Sequence, residues 1–454
     1  MPLLRRTLAA AVSVALVATT QVTLAVDAAA EPRSGCSTSG PTLRYVVLFD
    51  AGTAAEDAKL DTTVACGSLT GYYAQIAVGI AVSADPAFAD RMGRDRAFSA
   101  RSVTAGERGN PPLSSGGPVA PADRTGEQWN MTMIGADRER AVSADVLVGV
   151  LDSGIDATHP DLVAAVDPTV SAGCLTGVAD PRPAAWAPTT SPHGTHVAGL
   201  IAAADDGRGI TGVAPGVRLA SVKVVDDAGY VYPEAVICGL MWAAAKRMTV
   251  TNNSYFVDPW LLTCDREAEH VVFEAVRRAV DYASIRGVLT VAAASNENTD
   301  LAAPSGETAD SRGRRTLDGS CKLLPGGLRG VVAVSAVGPD QVKSGYSAYG
   351  LGVVDVTAPG GEEGDCVLST VPGGYGTACG TSMAAPHVTG VAALLAGQQP
   401  YATPQRLARA LTGQARSLPC PADYDLDGVA GQDAYCTGYA RYNSFYGHGL
   451  VRVP

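Results

Sequence analysis

The sequence predicts an α/β protein: a mostly parallel sheet covered by helices on both faces, preceded by a small α+β unit. Three observations carry this reading. From Trp129 onward, short and nearly all-apolar runs alternate with stretches of helical period, as buried parallel strands and their crossover helices require. No self-similarity of solenoid period interrupts that alternation. The chain has 454 residues, of which 46% are hydrophobic, enough for one large core and a smaller one.

In the main domain, strands are expected at 146–151, 218–225, 249–254, 288–294, 331–337 and 353–358, with helices at 193–204, 233–247, 267–286 and 382–396. Ahead of it, 43–49 reads as a strand. Ile76, Val78, Ile80 and Val82 alternate with small residues, the period of a half-buried strand, and a helical pattern covers 86–95. These elements place an α+β unit at 31–105, and an unrelated interaction module is the alternative for it. Residues 106–124 are rich in Gly, Pro and Ser, the composition of an exposed linker open to nicking. The main domain is then 125–454.

Residues 1–30 have the organisation of a secretory signal: Arg5 and Arg6, an apolar run over 8–17, and Ala28-Ala29-Ala30 as a small-residue cleavage site. An uncleaved anchor is the alternative, but the apolar run is short and followed by Thr and Gln. No other segment approaches the ~18 apolar residues that span a bilayer. A secreted, extracellular, monomeric protein is expected. The net charge of −11 disfavours nucleic acid or an anionic membrane as partner.

Ten cysteines, an even count in an exported chain, read as disulfides, and the absence of any Cys-x-x-Cys argues against zinc or redox chemistry. The expected pairs are Cys36–Cys66, Cys174–Cys238, Cys264–Cys321, Cys366–Cys379 and Cys420–Cys436. The first stays within the N-terminal unit. The fourth brackets a hairpin whose turn is Pro372-Gly373-Gly374.

Three stretches carry chemistry. Gly380-Thr381-Ser382-Met383-Ala384-Ala385-Pro386-His387 places a serine at a tight turn opening a helix. There a hydroxyl sits beside unpaired N–H groups that favour developing negative charge. Alone, it is equally an ordinary N-cap serine. The other two are Val148-Gly149-Val150-Leu151-Asp152-Ser153-Gly154 and Ser191-Pro192-His193-Gly194-Thr195-His196.

With all three present in the order Asp…His…Ser, the chain resembles the subtilisin-like serine proteases over about 129–451. The resemblance implies a subtilisin-like three-layer fold and a serine endopeptidase acting through an acyl-enzyme. Ser382 would be the nucleophile, His193 the general base and acid, and Asp152 the group that orients the imidazole. Asn296, in Ala293-Ala294-Ser295-Asn296-Glu297, matches the family's oxyanion donor, although the family usually has Gly where Ser295 stands. A strand-end turn asparagine is the bland alternative. Polypeptide substrate would add as a strand between segments containing Gly229 and Ser254-Tyr255-Phe256, with Glu297 flooring the primary pocket. Phe256 replaces a common Gly, so large aromatic substrate side chains should be penalised there. Position makes 31–105 the inhibitory pro-domain of an autoprocessed zymogen and an intramolecular partner.

No cofactor is required for this chemistry. By resemblance, Asp161 and Asp206 lie in segments that together cage calcium, with an acidic surface loop as the alternative. His193-x-x-His196 could be a metal pair, but it lacks an intervening Glu and an evident third ligand. Gly380-x-Ser382-x-Ala384 loosely resembles an esterase elbow, but in esterases the acid and histidine follow the serine. A catalytically silent binding protein on the same fold is the rival from another class; loss of a triad member would mark it, and none is lost.

Overall fold

The chain's first sheet is antiparallel, with four strands: β1 (Leu43–Leu48), β2 (Ser68–Tyr73), β3 (Val78–Ser83) and β4 (Ala97–Phe98), in the order β2-β3-β1-β4. The computed structural model describes residues 35–103, 122–137, 145–310, 313–426 and 432–454. The signal expected at 1–30 and most of the linker expected at 106–124 lie outside the described residues.

Alternation along β1 decides what each face of this sheet touches. Tyr45, Val47 and Phe49 turn to the unit's own core, with Ala58 of helix α1 (Ala55–Val64) and Phe88. Val46 and Leu48 turn the other way, joining Ile76, Val78, Ile80 and Phe98 in the core beneath the main domain's helices. The N-terminal unit thus presents an apolar sheet face to the rest of the molecule, and Ser37–Pro454 form one compact unit.

The main sheet has seven strands, every neighbouring pair parallel: β5 (Leu147–Asp152), β6 (Ala172–Gly173), β7 (Arg218–Lys223), β8 (Val250–Asn253), β9 (Leu289–Ala293), β10 (Val331–Val337) and β11 (Val356–Pro359). Their order is β11-β10-β9-β8-β5-β7-β6. The inner strands are buried along their whole length, which explains why they read as continuous apolar runs. Side chains alternate between two cores. Val148, Val150, Val291 and Val334 meet helices α2 (His193–Ala202) and α5 (Thr381–Gln398) on one face. Leu147, Leu151 and Ala292 meet α3 (Pro233–Ala245) and α4 (Glu269–Ile285) on the other. This is the expected three-layer α/β fold.

Boundaries moved by a few residues. The strand expected from 353 begins at Val356, because the Asp355 carboxylate accepts the Ala333 N–H at 2.9 Å. The helix expected over 86–95 is only Phe88–Met92, ended by Gly93 at φ 100°. Three N-terminal elements, α1, β2 and the two-residue β4, were not anticipated.

Cysteine pairing follows the expected scheme: Cys174–Cys238, Cys264–Cys321, Cys366–Cys379 and Cys420–Cys436, with Cys36 and Cys66 also disulfide-bonded. The Cys366–Cys379 bridge closes the expected hairpin, Val367–Val371 against Gly374–Ala378. Among the described residues no helix is long and apolar enough to cross a membrane.

Polar contacts also join the N-terminal unit to α3 and α4. Arg278 of α4 donates to the carbonyl oxygens of Phe49 and Ile76 at 3.1 Å. Glu234, in the first turn of α3 and 2% exposed, faces Arg44 at 3.8 Å and Arg101 at 3.7 Å. Burial raises the Glu234 carboxyl above its ordinary value, against the pull of the two guanidinium groups.

Candidate active site

Parallel α/β sheets gather functional groups at the carboxyl ends of their strands, and two of those ends matter here. β5 ends at Asp152, wholly buried, and β9 ends just before Ser295 and Asn296. Both ends open onto a cavity of about 790 Å3, whose lining includes Asp152, His193, Ser382, Asn296, Gly229, Ser254, Tyr255, Phe256 and Glu297. All nine residues assigned from sequence to catalysis or substrate binding therefore meet in one cleft.

His193 opens α2, and its Nδ1 lies 2.8 and 2.9 Å from the two Asp152 carboxylate oxygens. The backbone around it is fixed by short serines: Ser153 Oγ accepts the Gly194 N–H at 3.0 Å and donates to the Ser191 carbonyl. A side chain at Gly194 would begin 2.5 Å from the Gly154 carbonyl oxygen, so only glycine lets helix and strand approach this closely. Burial disfavours the imidazolium of His193, but the Asp152 carboxylate outweighs it and holds the ring above its ordinary value.

Ser382 stands in the first turn of α5, behind Gly380 at φ 152°. A Cβ at Gly380 would lie 3.2 Å from Asn296 Nδ2. Pro386, four residues on and inside the helix, has no N–H to give the Ser382 carbonyl. The hydroxyl of Ser254 donates to that carbonyl instead, at 2.9 Å, while Ser382 Oγ donates to the Ser254 carbonyl at 3.2 Å. The two serines thus lock the helix start to the cleft wall that follows β8.

Asn296 is oriented by a backbone donor. Its Oδ1 accepts the Thr381 N–H and the Thr381 hydroxyl, both at 2.9 Å. That fixes which end of the amide is oxygen and leaves Nδ2 to face the cleft beside the helix start. The residue before it, Ser295, has φ 87° and a buried hydroxyl with no hydrogen-bond partner.

The family model described as "Subtilase family" matches residues 143–449, more than half of the chain. The chain belongs to the subtilase family. This subtilase is 34% identical to fervidolysin of Fervidobacterium pennivorans over 321 residues, covering 64% of the chain and 40% of that protein. It is 36% identical to subtilisin NAT of Bacillus subtilis subsp. natto over 258 residues, 57% of each chain. It therefore spans about half the length of these curated relatives. Among solved structures, an epidermin leader peptide processing serine protease from Staphylococcus aureus superposes with TM-score 0.66 at 19% identity, covering 91% of this chain and 97% of that one. The fervidolysin structure gives TM-score 0.62 at 24% identity over 92% of this chain and 61% of that one.

The other two histidines of the subtilase's motifs are structural. His196 Nε2 faces the Val367 carbonyl at 3.1 Å, and burial pushes its imidazole down to about 3. His387 bridges Met383 O and Asn130 Nδ2, with burial pushing it down to about 4. Phe256 packs against the cluster of Leu262, Leu301 and Leu323 while lining the cleft. Sequence reasoning missed Asp258 and Leu261, contributed to the cleft by the segment after Phe256. Asp258 accepts the Val231 N–H at 2.7 Å, tying the two walls together. The Asp258-Pro259 pair, two residues after Phe256, was the available signal.

Asp161 and Asp206 both lie near Tyr375, whose phenol is raised by burial and by these two carboxylates. Asp161 is 4% exposed, and its carboxylate accepts the Tyr375 hydroxyl at 2.9 Å and the Ile210 N–H at 3.1 Å. Asp206 is exposed and caps its own loop through the Arg208 N–H.

Proposed function

We propose that this subtilase is a serine endopeptidase, hydrolysing polypeptide through Asp152, His193 and Ser382 by way of an acyl-enzyme. One observation carries the reading: an Asp152–His193 hydrogen bond, the Ser382 hydroxyl at a helix start, and the Asn296 amide all face a single cleft.

The chemistry follows from the atoms. Substrate adds as a strand between the Gly229 and Ser254–Phe256 walls. Ser382 turns its hydrogen from the Ser254 carbonyl to His193 Nε2 and attacks the scissile carbonyl. His193 can take that proton because its Nδ1–H is committed to Asp152, which also stabilises the imidazolium. Negative charge on the tetrahedral oxygen meets the Ser382 N–H and Asn296 Nδ2. His193 then protonates the leaving amine, and water repeats the cycle on the ester.

The N-terminal unit supports a zymogen reading. Residues 31–105 act as an inhibitory pro-domain docked on α3 and α4, after a signal at 1–30 removed on export. The linker over 106–124 is cut by the enzyme itself, leaving 125–454 as a secreted, monomeric catalytic domain. Replacing Ser382 by Ala tests the whole scheme. The purified variant should be folded, inert towards casein and still joined to its N-terminal unit. Casein hydrolysis or normal maturation by that variant in a protease-free host would sink it.

Calcium at Asp161 and Asp206 is a separate proposal that rests on the sequence. The Asp161 carboxylate, which accepts from Tyr375 and Ile210, would supply one of the oxygen ligands. A melting temperature that rises in calcium over EGTA, and no longer does so after Asp161→Asn, is the expected sign; equal melting in both buffers rejects it.

A further inference from the structure

Lys343 takes no part in the chemistry above, yet it is 1% exposed and fully engaged. Its Nζ lies 2.9 Å from Asn298 Oδ1, 3.1 Å from the Ser344 carbonyl and 3.0 Å from the Tyr424 hydroxyl. The rings of Tyr349, Tyr424 and Phe445 surround it at 4.9–5.4 Å from their centres. Among the described residues no carboxylate lies within ion-pairing distance; Glu362 and Asp433 act on it from farther away.

The three contacts use three hydrogens. Asn298 Oδ1 and the Ser344 carbonyl can only accept. The Tyr424 hydroxyl gives its own hydrogen to the Lys343 carbonyl at 2.9 Å, so towards Nζ it too can only accept. An ammonium satisfies all three, whereas a neutral amine has two hydrogens and a lone pair facing an acceptor. The site is therefore built for the charged form, although burial lowers the ammonium to about 7.

What Lys343 grips is the wall of the cleft. Asn298 follows Asn296 and Glu297 directly, at φ 44°. Its N–H donates to the Tyr346 carbonyl at 2.8 Å, and its Nδ2 to the Asp433 carbonyl at 3.3 Å. Either side of it, the Ser295 and Thr299 carbonyls accept from Ala348 and Tyr349 at 3.0 Å. On the far side, Tyr424 and Asp433 both lie between Cys420 and Cys436, and the Asp433 N–H donates to the Tyr424 carbonyl.

We propose that Lys343, as an ammonium, is a positioning residue of the cleft, pinning the Asn296–Glu297 wall to the disulfide-closed segment through Asn298 and Tyr424. The proposal rests on the reading of Asn296 as an oxyanion donor, since that donor is what the clamp holds in register. Loss of the proton breaks one of the three contacts and frees the turn that follows Asn296. The charged groups facing Lys343 are Glu362 and Asp433; burial raises the phenols of Tyr349, Tyr424 and Tyr446, which stay neutral as pH rises past 7. The linkage signs separate activity from stability. A lysine whose folded value is lowered binds its proton less tightly when folded, so its contribution to stability grows as pH rises from about 7 towards the ordinary lysine value. The clamp thus loosens without the fold weakening.

The test is kcat and KM of the matured enzyme, produced from the full chain, on a peptide p-nitroanilide from pH 6 to 10. For the wild type, kcat should decline above neutrality while KM stays within about twofold and the melting temperature does not fall with it. Lys343→Met should lower kcat about tenfold at pH 6.5, the scale of a slightly misplaced donor, and abolish the alkaline decline. Tyr424→Phe keeps the ring and should lower kcat several-fold; it decides the matter if the lysine variant does not fold. Wild-type kcat and pH profile in the folded variants would overturn the clamp. Stoichiometric labelling of Ser382 by a fluorophosphonate is read separately: no labelling of the wild type would overturn the protease reading instead.

Discussion

Replacing Ser295 by Gly should make the protein more stable, although it deletes atoms from a buried position. Ser295 is 9% exposed and holds φ 87°, where a Cβ is crowded against its own backbone. Relief of that strain is worth about 1–2 kcal/mol. The hydroxyl is buried without a partner, and removing it recovers about 1 kcal/mol more. Against this stands the greater freedom of glycine in the unfolded chain, about 0.5–1 kcal/mol. The net gain is about 1–2 kcal/mol, or roughly 1–3 °C in melting temperature for a chain of this size. The measurement is thermal unfolding at matched scan rates in a Ser382→Ala background, where self-digestion cannot distort the transition. Ser295→Ala is the internal control: it removes the hydroxyl but keeps the strained Cβ, so it should gain less than glycine. A Ser295→Gly protein that melts below its parent, or an alanine variant that outperforms it, would refute the strain argument.

Two further outcomes follow from the cleft. Asn296→Ala should lower kcat by roughly 10²–10³ with KM nearly unchanged, because Nδ2 meets charge that exists only in the transition state; a large KM effect with little loss of kcat would remove Asn296 from that role. His193 must be neutral to accept a proton, and Asp152 raises its titration, so the acid limb of kcat/KM should have its midpoint above the ordinary histidine value and move to lower pH in the residual activity of Asp152→Asn. A midpoint below that value would contradict the assigned pairing.

Legibility tracked the physical origin of each signal. The main sheet was readable because parallel strands buried on both faces must be apolar throughout, as Val331–Val337 is. Helix α1 was missed because its ten residues, Ala-Glu-Asp-Ala-Lys-Leu-Asp-Thr-Thr-Val, bury only Ala58 and Thr62 and leave Leu60 and Val64 exposed. The hairpin Gly306–Asp310 with Gly313–Leu317 is solvent-facing and charged, so it carries no alternation to detect. Within the cleft, Asp152, His193, Ser382 and Asn296 lie in contiguous motifs that local sequence announces. Asp258 and Lys343 do not, since each acquires its meaning from residues distant in the chain. A lone lysine beside Val342 and Ser344 reads as surface until Tyr424, some eighty positions later, folds over it.

Pro386 gives the first turn of α5 a mechanical character that a regular helix would lack. With an N–H at that position, the Ser382 carbonyl would be tethered to its own helix, and the serine would follow the motion of the helix alone. Because the proline withholds that tether, the carbonyl is tied sideways to Ser254, which sits on a different element and forms part of the wall where a peptide would lie. Serine and wall are thereby geared together. A push on the strand end after β8 therefore reaches the Ser382 carbonyl through one hydrogen bond.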